Sequence, residues 1–100
     1  MRLIGNMEPI DLDLRPVLAP RARLQMDAVR REPVLLYPEG VLKLNETAHA
    51  ILLRCDGKTP VTGILRGLAE EYGVAEADLR GDVLECLADL RHRRLLVFTP

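Results

Sequence analysis

Serine and tryptophan are absent from this 100-residue chain, and two His, two Cys, two Tyr and one Phe are all it has of those types. Each shortage removes a class of function. Without serine there is no seryl nucleophile for a histidine to activate, and neither His49 nor His92 has a cysteine at nucleophile–base spacing. Cys55 and Cys86 are too few for a disulfide framework or a metal site, and both fall on expected helical core stripes as small hydrophobes. His49 lies between stripe positions and His92 in a basic helix end, so both read as solvated surface. Glu70-Glu71, and Glu76 with Asp78, read as a solvated helix end and a helix start, not as an acid–base pair. There is no P-loop and no G-x-G-x-x-G fingerprint. No catalytic constellation and no cofactor site are expected.

Long apolar runs are missing too. None approaches the ~20 residues that span a bilayer, and Glu8, Asp11 and Asp13 interrupt any opening signal segment. The expected compartment is the cytoplasm. A net charge of −1, from 14 basic and 15 acidic residues, gives no electrostatic reason to bind nucleic acid or an anionic membrane.

What the chain does have is aliphatic. It is 48% hydrophobic but 3% aromatic, so one small domain packs Leu, Val, Ile and Ala. Pro9, Pro16 and Pro20 break any period over residues 1–20, which read as an N-terminal arm, with residues 21–100 as the domain. Three strands are expected. Residues 22–27 alternate, with Leu24 and Met26 on the inner side. Residues 33–37 are apolar throughout, as for a middle strand covered on both faces. Residues 41–44 put Leu42 and Leu44 inward, after a tight turn at Tyr37-Pro38-Glu39-Gly40. This meander leaves its first and third strands as edges.

Three helices complete the pattern. Over residues 44–57, Asn45 is an N-cap, Glu46 favours the positive helix start and Gly57 suits the end. Ala48, Ile51, Leu52 and Cys55 form its stripe. Thr59 is expected to cap a second helix with Pro60 at its first position. Its stripe is Val61, Ile64, Leu65, Leu68 and Tyr72, its stop Gly73, and Gly63 and Gly67 share a face open to another backbone. The third helix spans residues 76–94, with core stripe Leu79, Val83, Cys86, Leu87 and Leu90. The fold class is α+β, winged helix-turn-helix-like: a three-stranded antiparallel sheet followed by three helices.

Such an outline raises a DNA-binding regulator as the alternative function. Asp78, Asp82, Glu85 and Asp89 on the third helix oppose it, because each would meet phosphate repulsion. The same helix carries a second, weaker apolar stripe of Ala77, Leu84, Ala88 and Leu95, flanked by Arg91. These residues either widen the core contact or line a trough beside the third strand's edge. In the second case an extended peptide adds to Val41, Leu42, Lys43 and Leu44 while its side chains meet Leu84, Ala88, Arg91 and Leu95. Arg91 would then face an acidic residue of the peptide.

The order of motifs resembles one family. Leu44-Asn45-Glu46-Thr47-Ala48, then Ile51-Leu52, then Cys55-Asp56-Gly57 is similar to the PqqD family, the peptide chaperones of pyrroloquinoline quinone biosynthesis. Arg15-Pro16 with Leu24 matches that family's N-terminal strand region, and Val34 through Gly40 its central hairpin. Residues 61–72 match its second helix, and Asp82-Val83-Leu84 through Leu90 with Leu95-Leu96 its last helix and tail. The family usually has Gly before the terminal Leu pair, where this chain has Arg94. The resemblance implies a non-catalytic adaptor, monomer or weak homodimer, without a cofactor. It implies binding of the precursor peptide PqqA at the trough and its presentation to the radical S-adenosylmethionine enzyme PqqE, which crosslinks a Glu and a Tyr of the peptide.

Overall fold

The computed structural model describes residues 9–100; residues 1–8, part of the expected arm, lie outside it. The three-stranded antiparallel sheet and three helices are present, with a second, two-stranded ribbon. In chain order the elements are β1 (Arg15–Leu18), β2 (Arg23–Met26), β3 (Pro33–Tyr37), β4 (Gly40–Lys43), α1 (Glu46–Leu53), α2 (Val61–Tyr72), α3 (Glu76–His92) and β5 (Leu96–Thr99). The meander β2-β3-β4 forms one sheet, and β1 pairs antiparallel with β5 to form the ribbon.

The sheet's core face is a row of leucines, Leu24 opposite Leu35 opposite Leu42. Adjacent Val34 and Leu35 point to opposite faces and are both buried, so the middle strand is covered on both sides. Met26, expected inward, is instead 51% exposed, where β2 runs into the turn around Asp27. Behind the leucine row lie Ile51 and Leu52 of α1, Ile64, Leu65 and Leu68 of α2, and Val83, Leu87 and Leu90 of α3.

Helix α1 starts as its sequence dictates: the Asn45 side chain accepts from the Ala48 N–H at 2.7 Å. It ends earlier than expected, at Leu53 with Arg54 as C-cap. Gly57 is therefore not its terminator. With φ +76°, Gly57 turns the following loop against β1, donating its N–H to the Pro16 carbonyl at 2.9 Å. A Cβ there would stand 3.4 Å from that of Val17. Cys55 falls outside the helix but is still buried, its thiol donating to the Ile51 carbonyl at 3.3 Å. Burial first, then the charges of Cys86 and Asp56, pushes that thiol up to about 12.

The start of α2 also differs. Thr59 does not cap it; its hydroxyl donates to Asp56 instead, and the helix begins after Pro60 without a side-chain cap. Asp56 also accepts from the N–H groups of Lys58 and Thr59, both at 2.8 Å, which holds its carboxyl below the usual range. The first donors of α2 are satisfied by the segment before β1: Val61 N–H reaches the Leu14 carbonyl and Thr62 N–H the Leu12 carbonyl, each at 3.1 Å. Tyr72 is 39% exposed, so the α2 stripe stops short of it. Gly67 makes room for a side chain, not a backbone. Arg54 lies across it, 2.5 Å from where a Cβ would sit, and pairs with Glu71 at 2.6 Å.

Helix α3 ends in a Schellman turn. Leu95 N–H donates to the Leu90 carbonyl and Arg94 N–H to the Arg91 carbonyl, both at 2.9 Å. Arg94 occupies the left-handed position of that turn at φ +62°. This site suits glycine, because a Cβ costs ~1–2 kcal/mol there. Arg94→Gly should raise unfolding stability by about 0.5–1 kcal/mol, the relief of strain being partly offset by glycine's greater unfolded-state entropy. A denaturation midpoint that fell would contradict the strain argument.

The Cys55 thiol carries a pH prediction. Between its ordinary value of 9.0 and about 12 the native state keeps a proton that the unfolded chain releases. Its contribution is complete below pH 9 and is lost as pH rises towards 12. Urea midpoints should fall over this range more steeply for the native sequence than for Cys55→Ala; parallel slopes would refute the burial effect.

Candidate peptide-binding site

The edge of β4 can be read from its ladder. Tyr37 opposes Gly40 across the two-residue turn, and Leu44 N–H donates to the Pro33 carbonyl at 3.1 Å. Antiparallel pairs alternate between bonded and non-bonded. Leu42 therefore bonds towards Leu35, while Val41 and Lys43 aim their N–H and C=O groups away from β3. The sheet order places no further strand of the described residues on that side. Val41, 60% exposed, and Lys43 carry their side chains on the outer face, and Leu42 and Leu44 pack against the core.

Two residues past β4, Asn45 forms the lip of an open groove of ≈ 610 Å³. One wall is the start of α1, with Thr47, Ala48 and Ile51. The other is a flank of α3, with Asp82, Glu85, Cys86, Asp89 and His92. The Cys86 thiol is pushed up to about 11, first by burial and then by the Asp89 and Glu85 carboxylates beside it. It is a poor nucleophile in this setting. Among the described residues no group of His, Cys, Asp and Glu could hold a metal ion.

The structure divides the eight expected site residues between two places. Val41, Leu42, Lys43 and Leu44 form the open edge and its inner side, as read. Leu84, Ala88, Arg91 and Leu95 do not join them. Measured from Val83 in the core stripe, Leu84, Ala88 and Arg91 lie roughly 80–140° to one side, and the groove-lining carboxylates roughly 100–160° to the other. The ribbon packs on the first flank through β5. Arg91 stacks over Phe98 of β5 at 5.8 Å, Ala88 is 7% exposed, and Leu95 is 1% exposed within the core. Leu84, Ala88 and Leu95 thus widen the core contact, the first of the two readings, while Ala77 stays exposed. His49, expected in full solvent, is half-buried, while His92 is exposed at the groove's end.

The α3 wall of the groove lies outside the expected site residues. Its signal was the spacing of Asp82, Glu85 and Asp89 at i, i+3 and i+7, which places three carboxylates on one helical face. That acidic face also opposes the DNA-binding alternative, since a groove-entering α3 would present it to phosphate.

Comparison with known proteins agrees with this architecture. Residues 32–96 match the family model described as coenzyme PQQ synthesis protein D (PqqD). A PqqA binding protein of Xanthomonas oryzae pv. oryzae is 40% identical over 90 residues, covering 90% of this chain and 98% of that protein. One from Rhodopseudomonas palustris is 42% identical over 82 residues, covering 82% and 80%. The solution structure of the PqqD truncation of Methylobacterium extorquens PqqCD, described as a functional and stand-alone RiPP recognition element, superposes with a TM-score of 0.78 at 33% identity. It covers 94% of this chain and 99% of that one. The crystal structure of PqqD from Xanthomonas campestris superposes at 0.55 with 34% identity, covering 87% and 97%. With the matched family model spanning most of its length and relatives aligned almost end to end, the chain belongs to the PqqD family.

Proposed function

We propose that this chain is a non-catalytic cytoplasmic adaptor that binds the precursor peptide PqqA as an added strand on β4. The peptide's side chains enter the groove between α1 and α3. The observation that carries this reading is the open Val41–Lys43 backbone leading past Asn45 into a groove, in a family whose members are named for binding PqqA. Main-chain hydrogen bonds hold the peptide whatever its sequence, and the groove supplies selection. The finer step is presentation of the bound peptide to PqqE. Holding substrate beside enzyme raises their effective concentration without any new chemistry in the adaptor.

Lys43→Pro tests the strand addition cleanly. The Lys43 N–H points away from β3, so proline deletes an outward donor and no native ladder bond. Its melting temperature should stay within a few degrees of the parent's, while affinity for PqqA falls about ten-fold, the worth of one strong hydrogen bond. Val41→Ala, which keeps the backbone, should bind nearly normally. Amide shift mapping with PqqA should move Val41, Lys43, Asn45 and Thr47 first. Shifts confined to β2 or α2, or full affinity in Lys43→Pro, would place the peptide elsewhere. For the presentation step, PqqE should retain labelled adaptor more strongly when PqqA is present; equal retention without peptide would argue against presentation.

A further inference from the structure

The groove beside β4 carries a charge pattern that strand addition does not use. Asp82, Glu85 and Asp89 are all exposed along its α3 wall. Asp89 pairs with Arg93 at 3.1 Å. Neither Asp82 nor Glu85 has an ion pair among the described residues. Both stand beyond the first turn of α3, where Glu76 and Asp78 already meet the positive end of the helix, so the macrodipole does not account for them. Glu85 repels Asp82 at i−3 and Asp89 at i+4, spacings at which like charges weaken a helix. The facing wall offers neutral Asn45 and Thr47.

We infer that the groove selects an extended peptide bearing a lysine or arginine whose cation reaches Asp82 and Glu85. This deepens the strand-addition reading and rests on it. The β4 backbone is indifferent to side-chain identity, so discrimination falls to the groove that the strand runs into. A long basic side chain lays its methylenes along Ala48 and Cys86 and carries its charge out to the two carboxylates. An acidic peptide would meet three carboxylates instead, and Arg91 lies on the opposite flank over Phe98.

The test is calorimetric titration of the full chain with PqqA, and with PqqA variants in which each Lys or Arg is replaced by Gln, at low and high salt. The Asp82→Asn/Glu85→Gln double variant should bind PqqA about ten-fold more weakly and lose most of its salt dependence. One basic-to-Gln change in the peptide should weaken binding to the parent protein but not to the double variant. Thermal stability of the double variant should be equal or slightly higher, because a repulsion is removed. Parental affinity and salt slope in the double variant, with Lys43→Pro still impaired, would overturn charge selection and leave strand addition standing. So would tighter binding by the double variant, or a parent protein indifferent to every basic-to-Gln peptide. Failure of the parent protein to bind PqqA at all would overturn both.

Discussion

Leu95 and Leu96 have to be buried immediately after a helix whose core stripe is already complete at Leu90, and the reversal at Arg94 is what allows it. The turn folds β5 back onto α3, where Phe98 packs under Arg91, and β5 pairs residue for residue with β1. β1 in turn accepts the Gly57 N–H through Pro16, and the segment just before it closes the open donors of α2. One backbone reversal therefore ties β5 to β1, and with them the end of α3 to the start of α2. It also decides which flank of α3 stays open. The covered flank is the apolar one, as burial favours, and the flank left to solvent is acidic.

That dependence explains where sequence reading held and where it stopped. The middle strand, the Asn45 cap and the three apolar stripes are local patterns whose periods of two and 3.6 residues survive in any context. Two of the missed pieces depend on pairing between residues distant in sequence. The Leu96–Thr99 strand has no alternation of its own and exists because β1 lies beside it. Gly57 looks like a cap residue but answers to Val17, which only the fold brings near, whereas Thr59 gives its hydroxyl to Asp56 three residues before it, a local turn that competes with helix capping. The site was half legible for the same reason. Strand order in a meander identifies β4 as an edge, whereas a helical period marks two flanks beside a core stripe without saying which one a later strand will cover. Hydrophobicity points to the Leu84 flank as a trough, whereas in the fold Leu84 and Ala88 pack inward and Arg91 lies over Phe98.

An open strand edge is a hazard as well as a binding surface, since it offers the same unpaired groups to any other chain. Here β4 is four residues long and ends in Lys43, both features that limit edge-to-edge pairing. The acidic wall adds to this. A second copy of the chain meeting the groove with its own α3 face would oppose Asp82, Glu85 and Asp89 with the same three carboxylates. Self-association along this surface is thus disfavoured by like charge, while a peptide of the opposite sign is drawn into it. The carboxylates that weaken α3 through mutual repulsion are, on this argument, the feature that keeps a sequence-indifferent backbone edge from accepting every strand it meets.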